Sequence, residues 1–182
     1  MQLTPYFVGM ALAINIMSTV HAGTEPHEQH HEGHRHHGAH VHGMATLDLV
    51  ADGNDVMIHL RSPLINFLGF EHQPATAQQE SAYHDLHQQL QTLETLLTAQ
   101  GAHCQAEDIE IADPFAGTEE TLHADMEVSY FLHCDNTEDL AALQVNLFTH
   151  YAHLETIEVQ MILPSGQQHI QLKPQQTVIR IN

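Results

Sequence analysis

The fold is decided first by residues 43–62, which read GMATLDLVADGNDVMIHLRS. Apolar and polar side chains alternate on both sides of the central DGND, and this period of two is typical of strands that bury one face. Gly53 can supply the positive φ that a tight turn between two strands requires. The stretch therefore predicts an antiparallel hairpin, and a tight turn at Gly53 and Asn54 places Asp48 opposite His59 on the face away from the core.

The pattern after this hairpin switches between the helix and strand periods. Apolar residues recur every three or four positions within 76–100, which predicts an amphipathic helix. Strict alternation follows in 122–132 and again in 157–163, and between them Asn136 is expected to cap a second helix that continues to Tyr151. This order predicts an α+β fold, with an antiparallel sheet and two helices packed on one face, preceded by a disordered His-rich N-terminal segment.

The first residues have the pattern of an export signal. Residues 7–20 form an apolar run that is too short to span a bilayer and is typical of the central part of a secretory signal. We expect a cleaved signal peptide over 1–22, a disordered His-rich segment over 23–42 and a single α+β domain over 43–182. Residues 1–6 contain no Lys or Arg, unlike most export signals, and the alternatives are an error in the assigned start site or a retained anchor. No cysteine lies directly after the apolar run, so no lipid anchor is expected.

Histidine dominates the segment HEQHHEGHRHHGAHVHG, residues 27–43. Hardly any aliphatic side chain interrupts the histidines, so no helix face can be buried and the segment is expected to be disordered without metal. Imidazole binds zinc, copper and nickel, so these side chains are candidate metal ligands, with a solvated tag-like tail as the alternative. The candidates are His27, His30, His31, His34, His36, His37, His40 and His42.

The same segment matches H-E-x-x-H at residues 27–31, the motif of zinc proteases. That chemistry needs both histidines on a rigid helix beside a third ligand. A chance match is expected in a segment that is half histidine, and no nucleophile motif occurs elsewhere. We therefore expect a protein that is not an enzyme.

The charge balance excludes some classes of partner. Four Lys and Arg against 23 Asp and Glu give a net charge of −19 at pH 7, with 19 histidines in addition. Such a chain repels nucleic acid and anionic lipid and attracts cations. We expect no nucleic-acid partner.

The two cysteines, Cys104 and Cys134, allow two interpretations. Export into an oxidising compartment favours a disulfide. If a short strand at Ile109 and Ile111 pairs with the strand over 122–132, the two cysteines are equidistant from the centre of the connecting loop to within a residue, and the disulfide would join the open end of this second hairpin. The alternative is a zinc site, because His103 and His133 precede the cysteines and could add two nitrogen ligands.

Further candidate ligands lie in the predicted domain. Asp48 and His59 would share the outer face of the first hairpin, and His123 would lie on the outer face of the second. Glu71 and His72 follow the first hairpin in a loop, where binding groups tend to sit, although they could instead cap the next helix. The pairs His84 with His87 and His150 with His153 have helical spacing for chelation, but helix surfaces often carry such pairs without a function.

Two stretches carry a family resemblance. Residues 40–76, HVHGMATLDLVADGNDVMIHLRSPLINFLGFEHQPAT, and residues 157–168, IEVQMILPSGQQ, resemble the ZrgA family of zinc-regulated periplasmic proteins of Gram-negative bacteria. The resemblance implies zinc binding in the periplasm in support of zinc uptake. Carried over position by position, it points to His40, His42, Asn66, Gly69, Glu71 and His72. Family members commonly carry a second histidine-rich insertion between the middle strands. Here the corresponding loop, residues 112–125, contains a single histidine, His123.

These patterns together predict a zinc buffer or metallochaperone that passes zinc to a membrane zinc transporter component. Copper or nickel could occupy the same nitrogen ligands in vitro. The alternative is a periplasmic metal or pH sensor, or an accessory subunit, that docks on a membrane transporter. A solute-binding lobe is less favoured, because such proteins usually have two lobes and longer chains.

Overall fold

The computed structural model describes residues 41–116 and 124–181. The predicted signal peptide, the candidate ligands from His27 to His40, and His123 lie outside the described residues. The proposed division of the chain at residues 22 and 42 also falls outside them or at their edge, so it stays a prediction. No helix in the described part of the chain is long and apolar enough to cross a membrane.

Strands form about half of the described residues, and the helices are fewer and mostly short. The strands are β1 (Met44–Asp52), β2 (Asp55–Pro63), β3 (Leu97–Gln100), β4 (Cys104–Ala112), β5 (Asp125–Cys134), β6 (Ala142–Val145), β7 (Thr156–Leu163), β8 (Gly166–Leu172) and β9 (Val178–Arg180). The helices are α1 (Ile65–Leu68), α2 (Ala77–Leu90), α3 (Leu93–Leu96) and α4 (Leu147–His150), and Thr137–Asp139 form a 3-10 turn.

The first hairpin is as predicted. Strands β1 and β2 pair antiparallel around Gly53, whose φ is +59°, and Asp48 is the register partner of His59. The inward side chains, among them Leu47 and Ile58, have no exposed surface. The period of two in the sequence therefore identified both the strands and their buried face.

The prediction of an antiparallel sheet with two helices on one face is wrong. The larger sheet has six strands in the order β4-β5-β2-β1-β7-β8, and β1 and β7 run parallel. A second sheet, β3-β6-β9, has three strands. Local patterning identifies a strand and its buried face but not the neighbour it pairs with, so the distant β1–β7 pair was missed.

The predicted long helix ends early. Helix α2 begins after Thr76, whose side chain accepts a hydrogen bond from Gln79 N at 3.2 Å, and it ends at Leu90. The rest of the predicted helix divides into α3 and β3, and Leu97 of β3 pairs with Val145 of β6. Pairing with a distant strand therefore overrides the helical spacing of the leucines.

The second predicted helix is also wrong in most of its length. The side chain of Asn136 does cap a turn, but the chain then forms β6 and only the single helical turn α4. The apolar positions Leu140, Leu143 and Leu147 are each almost fully buried, although they lie in a turn, a strand and a helix. Spacing of three and four residues is thus compatible with consecutive short elements as well as with one helix.

One hydrophobic core joins the inner face of the six-stranded sheet to the three-stranded sheet and α2. Leu86 and Leu90 of α2 are buried in it, and the hydroxyl of Tyr130 on β5 donates a hydrogen bond of 2.6 Å to Leu90 O. The helix is therefore fixed to the sheet by both apolar and polar contacts.

The predicted disulfide is present. Cys104 and Cys134 are direct register partners on β4 and β5 and are bonded to each other. Because both sulfurs are in the disulfide, they are not thiolate ligands, and the alternative zinc site of two Cys and two His does not form.

Candidate metal centre

The chain enters the larger sheet through a tight turn at residues 41–44. Met44 N donates to Val41 O at 3.1 Å, and Gly43 has a φ of +81°. A Cβ atom at position 43 would lie only 3.2 Å from Cδ of Glu155. The positive φ therefore favours glycine at this position, any added side chain would crowd the Glu155 carboxylate, and the turn leaves His42 exposed immediately before β1.

A buried amide side chain holds this turn in place. Asn66 in α1 is 1% exposed, and its Oδ1 accepts a hydrogen bond of 2.7 Å from Gly43 N. Its Nδ2 donates to Met44 O at 2.9 Å and to the hydroxyl of Ser62 at 3.0 Å. Buried polar groups that are satisfied in this way fix a single geometry. Asn66 thus fixes the backbone on which His42 is mounted.

The chain beyond Asn66 brings a carboxylate to the same place. Helix α1 ends at Gly69, which has a φ of +76° and donates its N–H to Ile65 O at 2.9 Å. This left-handed residue reverses the chain direction, as in many helix ends. Two residues later, Oε2 of Glu71 lies 3.3 Å from Nε2 of His42, with the two side chains 12% and 56% exposed, respectively. A largely buried carboxylate and an accessible imidazole therefore lie in contact.

The neighbouring His72 is exposed, and one hydrogen bond defines which of its ring nitrogens carries the proton. Its Nδ1 lies 2.8 Å from Gln73 O, and a carbonyl can only accept, so Nδ1 carries the proton. Nε2 of the neutral ring then carries the lone pair that a metal needs. The alternative that Glu71 and His72 cap the following helix is wrong, because Thr76 caps α2.

A cleft of about 310 Å³ opens beside this pair. His42, Gly43, Asn66 and Gly69 line one side of it, and the segment between α4 and β7 lines the other. That segment contributes His153 and Glu155, which are both exposed. The sequence spacing predicted that His153 pairs with His150 on a helix, and it gave no signal for Glu155. Helix α4 ends at His150, so that helical pair does not form.

The predicted Asp48–His59 pair has the expected register but a different bonding pattern. The two residues are cross-strand partners on the outer face, and Nδ1 of His59 is hydrogen-bonded to the hydroxyl of Ser129 on β5 at 3.0 Å. A ligand role for this pair stays a prediction.

Two other histidines on the larger sheet contact carboxylates. His133 Nδ1 lies 2.8 Å from Asp55 Oδ1, and His169 Nε2 lies 2.9 Å from Glu158 Oε2. The hydrogen bond that the His133 ring donates to the Asp55 carboxylate raises the pKa of His133. Both separations are those of charge-assisted hydrogen bonds.

His84 and His87 do lie on one helix, α2, and both line an open cleft with Asp113. Burial lowers the pKa of His87, which favours its neutral form. Across residues 41–116 and 124–181, however, no three or more His, Cys, Asp or Glu side chains are grouped closely enough to hold a metal ion as they stand.

Comparison with known proteins supports a link to zinc. A family model described as ZrgA family zinc uptake protein matches residues 39–181. The match covers well over half of the chain and includes both walls of the cleft. A search of curated proteins found no match.

Proposed function

Because the chain belongs to the ZrgA family of zinc uptake proteins, we propose that it is a periplasmic zinc buffer or metallochaperone. The tightest zinc site is formed by His42 and Glu71. The histidines before residue 41 are weaker and more numerous ligands, and a membrane zinc transporter component is the acceptor.

The separation of His42 Nε2 and Glu71 Oε2 carries the proposal. Zinc binds imidazole nitrogen and carboxylate oxygen at about 2.0 to 2.2 Å in a tetrahedral arrangement, which places two ligand atoms roughly 3.3 to 3.5 Å apart. The observed distance is 3.3 Å. Zinc can therefore enter between the two side chains with little movement of the backbone that Asn66 holds.

The two classes of ligand differ in the entropy lost on binding. Ordering a flexible, glycine-containing segment costs conformational entropy for each residue that is fixed. Ligands on a preorganised backbone avoid most of this cost. We therefore expect one tight site in the folded domain and several weaker sites on the N-terminal histidines, an arrangement that suits capture followed by transfer.

The ligand set also predicts the response to pH. Histidine binds metal only when neutral, so zinc affinity should fall as the pH drops through the histidine range. Without a thiolate ligand, the site is suited to exchange rather than to permanent structural binding of zinc.

The test is zinc affinity measured on the full-length protein by competition with a chelator, at one equivalent of zinc. H42A and E71Q should each weaken the tightest binding by at least about tenfold, since loss of even an outer-shell partner costs about 10- to 100-fold. The matched controls are H133A and D55N, which each remove one member of the His133–Asp55 pair. If all four variants bind zinc as tightly as the wild type, the proposed site is excluded.

A further inference from the structure

The second wall of the cleft is the segment between α4 and β7, in which exposed residues lie on both sides of the buried Leu154. Leu154 is 2% exposed and anchors the segment in the core, whereas its two neighbours, His153 and Glu155, are exposed and line the cleft. One imidazole and one carboxylate thus face the cleft opposite His42, whose own imidazole contacts the Glu71 carboxylate.

The backbone fixes this wall relative to His42. Gly43 O accepts hydrogen bonds from Glu155 N at 2.8 Å and from Thr156 N at 2.9 Å, at the point where β1 and β7 begin their parallel pairing. Leu154 N donates to Tyr151 O at 3.1 Å, which closes the turn after α4. The segment is therefore part of the sheet framework.

Both glycines of the opposite wall lie against these side chains. A Cβ atom at Gly69 would lie 3.8 Å from Nε2 of His153, and one at Gly43 would lie 3.2 Å from Cδ of Glu155. The imidazole of His153 is thus next to the chain two residues before Glu71. The carboxylate of Glu155 is next to the residue that follows His42.

We propose that His153 and Glu155 are the ligands that complete the zinc site begun by His42 and Glu71. This inference rests on the proposed function and names residues that lie outside the motif residues of the resemblance. Two imidazoles and two carboxylates form a four-coordinate nitrogen and oxygen set, and its two negative charges balance Zn²⁺. His153 and Glu155 are exposed, so they can rotate toward the ion, and the site closes when metal binds.

The ligand set also implies a selectivity. Soft thiolate and thioether ligands favour Cu(I), whereas nitrogen and carboxylate oxygen suit divalent ions such as zinc. The closed site should therefore bind Zn²⁺ in preference to Cu(I).

The first test is residue-level footprinting of the full-length protein with diethyl pyrocarbonate, which modifies neutral imidazole. One equivalent of zinc should slow modification of His153 at least about threefold, by occupying its nitrogen. His150, three residues earlier and also exposed, is the internal control and should react at the same rate with and without zinc. Equal rates at His153 with and without zinc would overturn the proposal.

The second test uses variants in the chelator competition. H153A and E155Q should each weaken zinc binding by at least about tenfold, on the same scale as loss of any metal partner, whereas H150A should change it less than twofold. If H42A and E71Q weaken binding but H153A and E155Q do not, this inference fails and the proposed function stands. If none of the four has an effect, both fail.

Discussion

The two ends of the six-stranded sheet each hold a histidine beside a carboxylate, but they hold them differently. At the end where β1 begins, Glu71 is 12% exposed and His42 projects from a turn fixed by Asn66. At the other end, near the β1–β2 turn, Asp55 is 77% exposed beside His133. The first pair lies beside further potential ligands in a cleft, while the second pair is a solvated contact between neighbouring strands.

The difference gives the physical reason for placing the proposed zinc site at the end where β1 begins. Side chains of cross-strand partners point in the same direction from the sheet. Such a pair can contact each other, but few further side chains converge on the same point. Segments that enter the sheet from turns can approach one point from several directions. The cleft end is made of three such segments, which contain His42, Glu71 and His153.

Removing the disulfide should have the largest effect on stability and no effect on zinc. Cys104 and Cys134 are 30 residues apart in sequence and lie at the end of the sheet away from the cleft. Replacing both with alanine should lower the free energy of unfolding by about 3 to 4 kcal/mol, because the unfolded chain gains freedom. Urea unfolding measures this loss. A zinc affinity reduced more than threefold in the folded variant would show that the two ends are coupled.

Replacing Asn66 should affect both stability and zinc binding. N66A leaves Gly43 N and Met44 O without their buried partner, and we expect a loss of about 2 to 3 kcal/mol in unfolding free energy. Zinc affinity should also fall at least about tenfold, since the backbone that carries His42 is no longer fixed. Thermal unfolding without metal and chelator competition separate the two effects.

The matched control for Asn66 is S62A. It removes one hydrogen bond to Asn66 Nδ2 but keeps both contacts of Asn66 with the turn. Stability should fall by about 1 kcal/mol, and zinc affinity should stay within twofold of the wild type. If S62A weakens zinc binding as much as N66A does, the effect cannot be assigned to the contacts with the turn.

The smallest effect on stability is expected from changes to Asp55 and His133, the pair near the β1–β2 turn. Asp55 raises the pKa of His133, so protonated His133 is favoured in the folded state. Any stabilisation is present at low pH and is lost as the pH rises through the raised pKa of the folded state. D55N should lower the pKa of His133 in an NMR titration, with little change in stability because both groups are exposed. An unchanged pKa would contradict the assignment of the shift to Asp55.

Much of the larger sheet could be predicted from local pattern. The β1–β2 register and the Cys104–Cys134 pairing follow from alternation and from symmetric spacing about the turns. The short elements β3 and β6 could not be predicted, because each takes its conformation from pairing with the other across more than 40 residues. The parallel β1–β7 pair was missed for the same reason.

The candidate site was predictable in part. His42 and Glu71 belong to the motifs that resemble the ZrgA family, and the structure places them 3.3 Å apart. His153 and Glu155 carry no local signal for this site, because their position depends on the parallel pairing of β7 with β1. Asn66 entered only through the resemblance, and its hydrogen bonds give the physical reason for an amide at that position.

The parallel pairing that begins at Met44 and Thr156 has a consequence for how the protein is made. The loop it closes spans most of the described chain, and contacts of such sequence separation form slowly in folding. Glu71 can approach His42 once the first hairpin and α1 have formed, but His153 arrives only after β7 has been synthesised and paired. In the proposed four-ligand site, a chain still emerging during synthesis would therefore have only half of the ligands, and tight zinc binding would report that the sheet has folded.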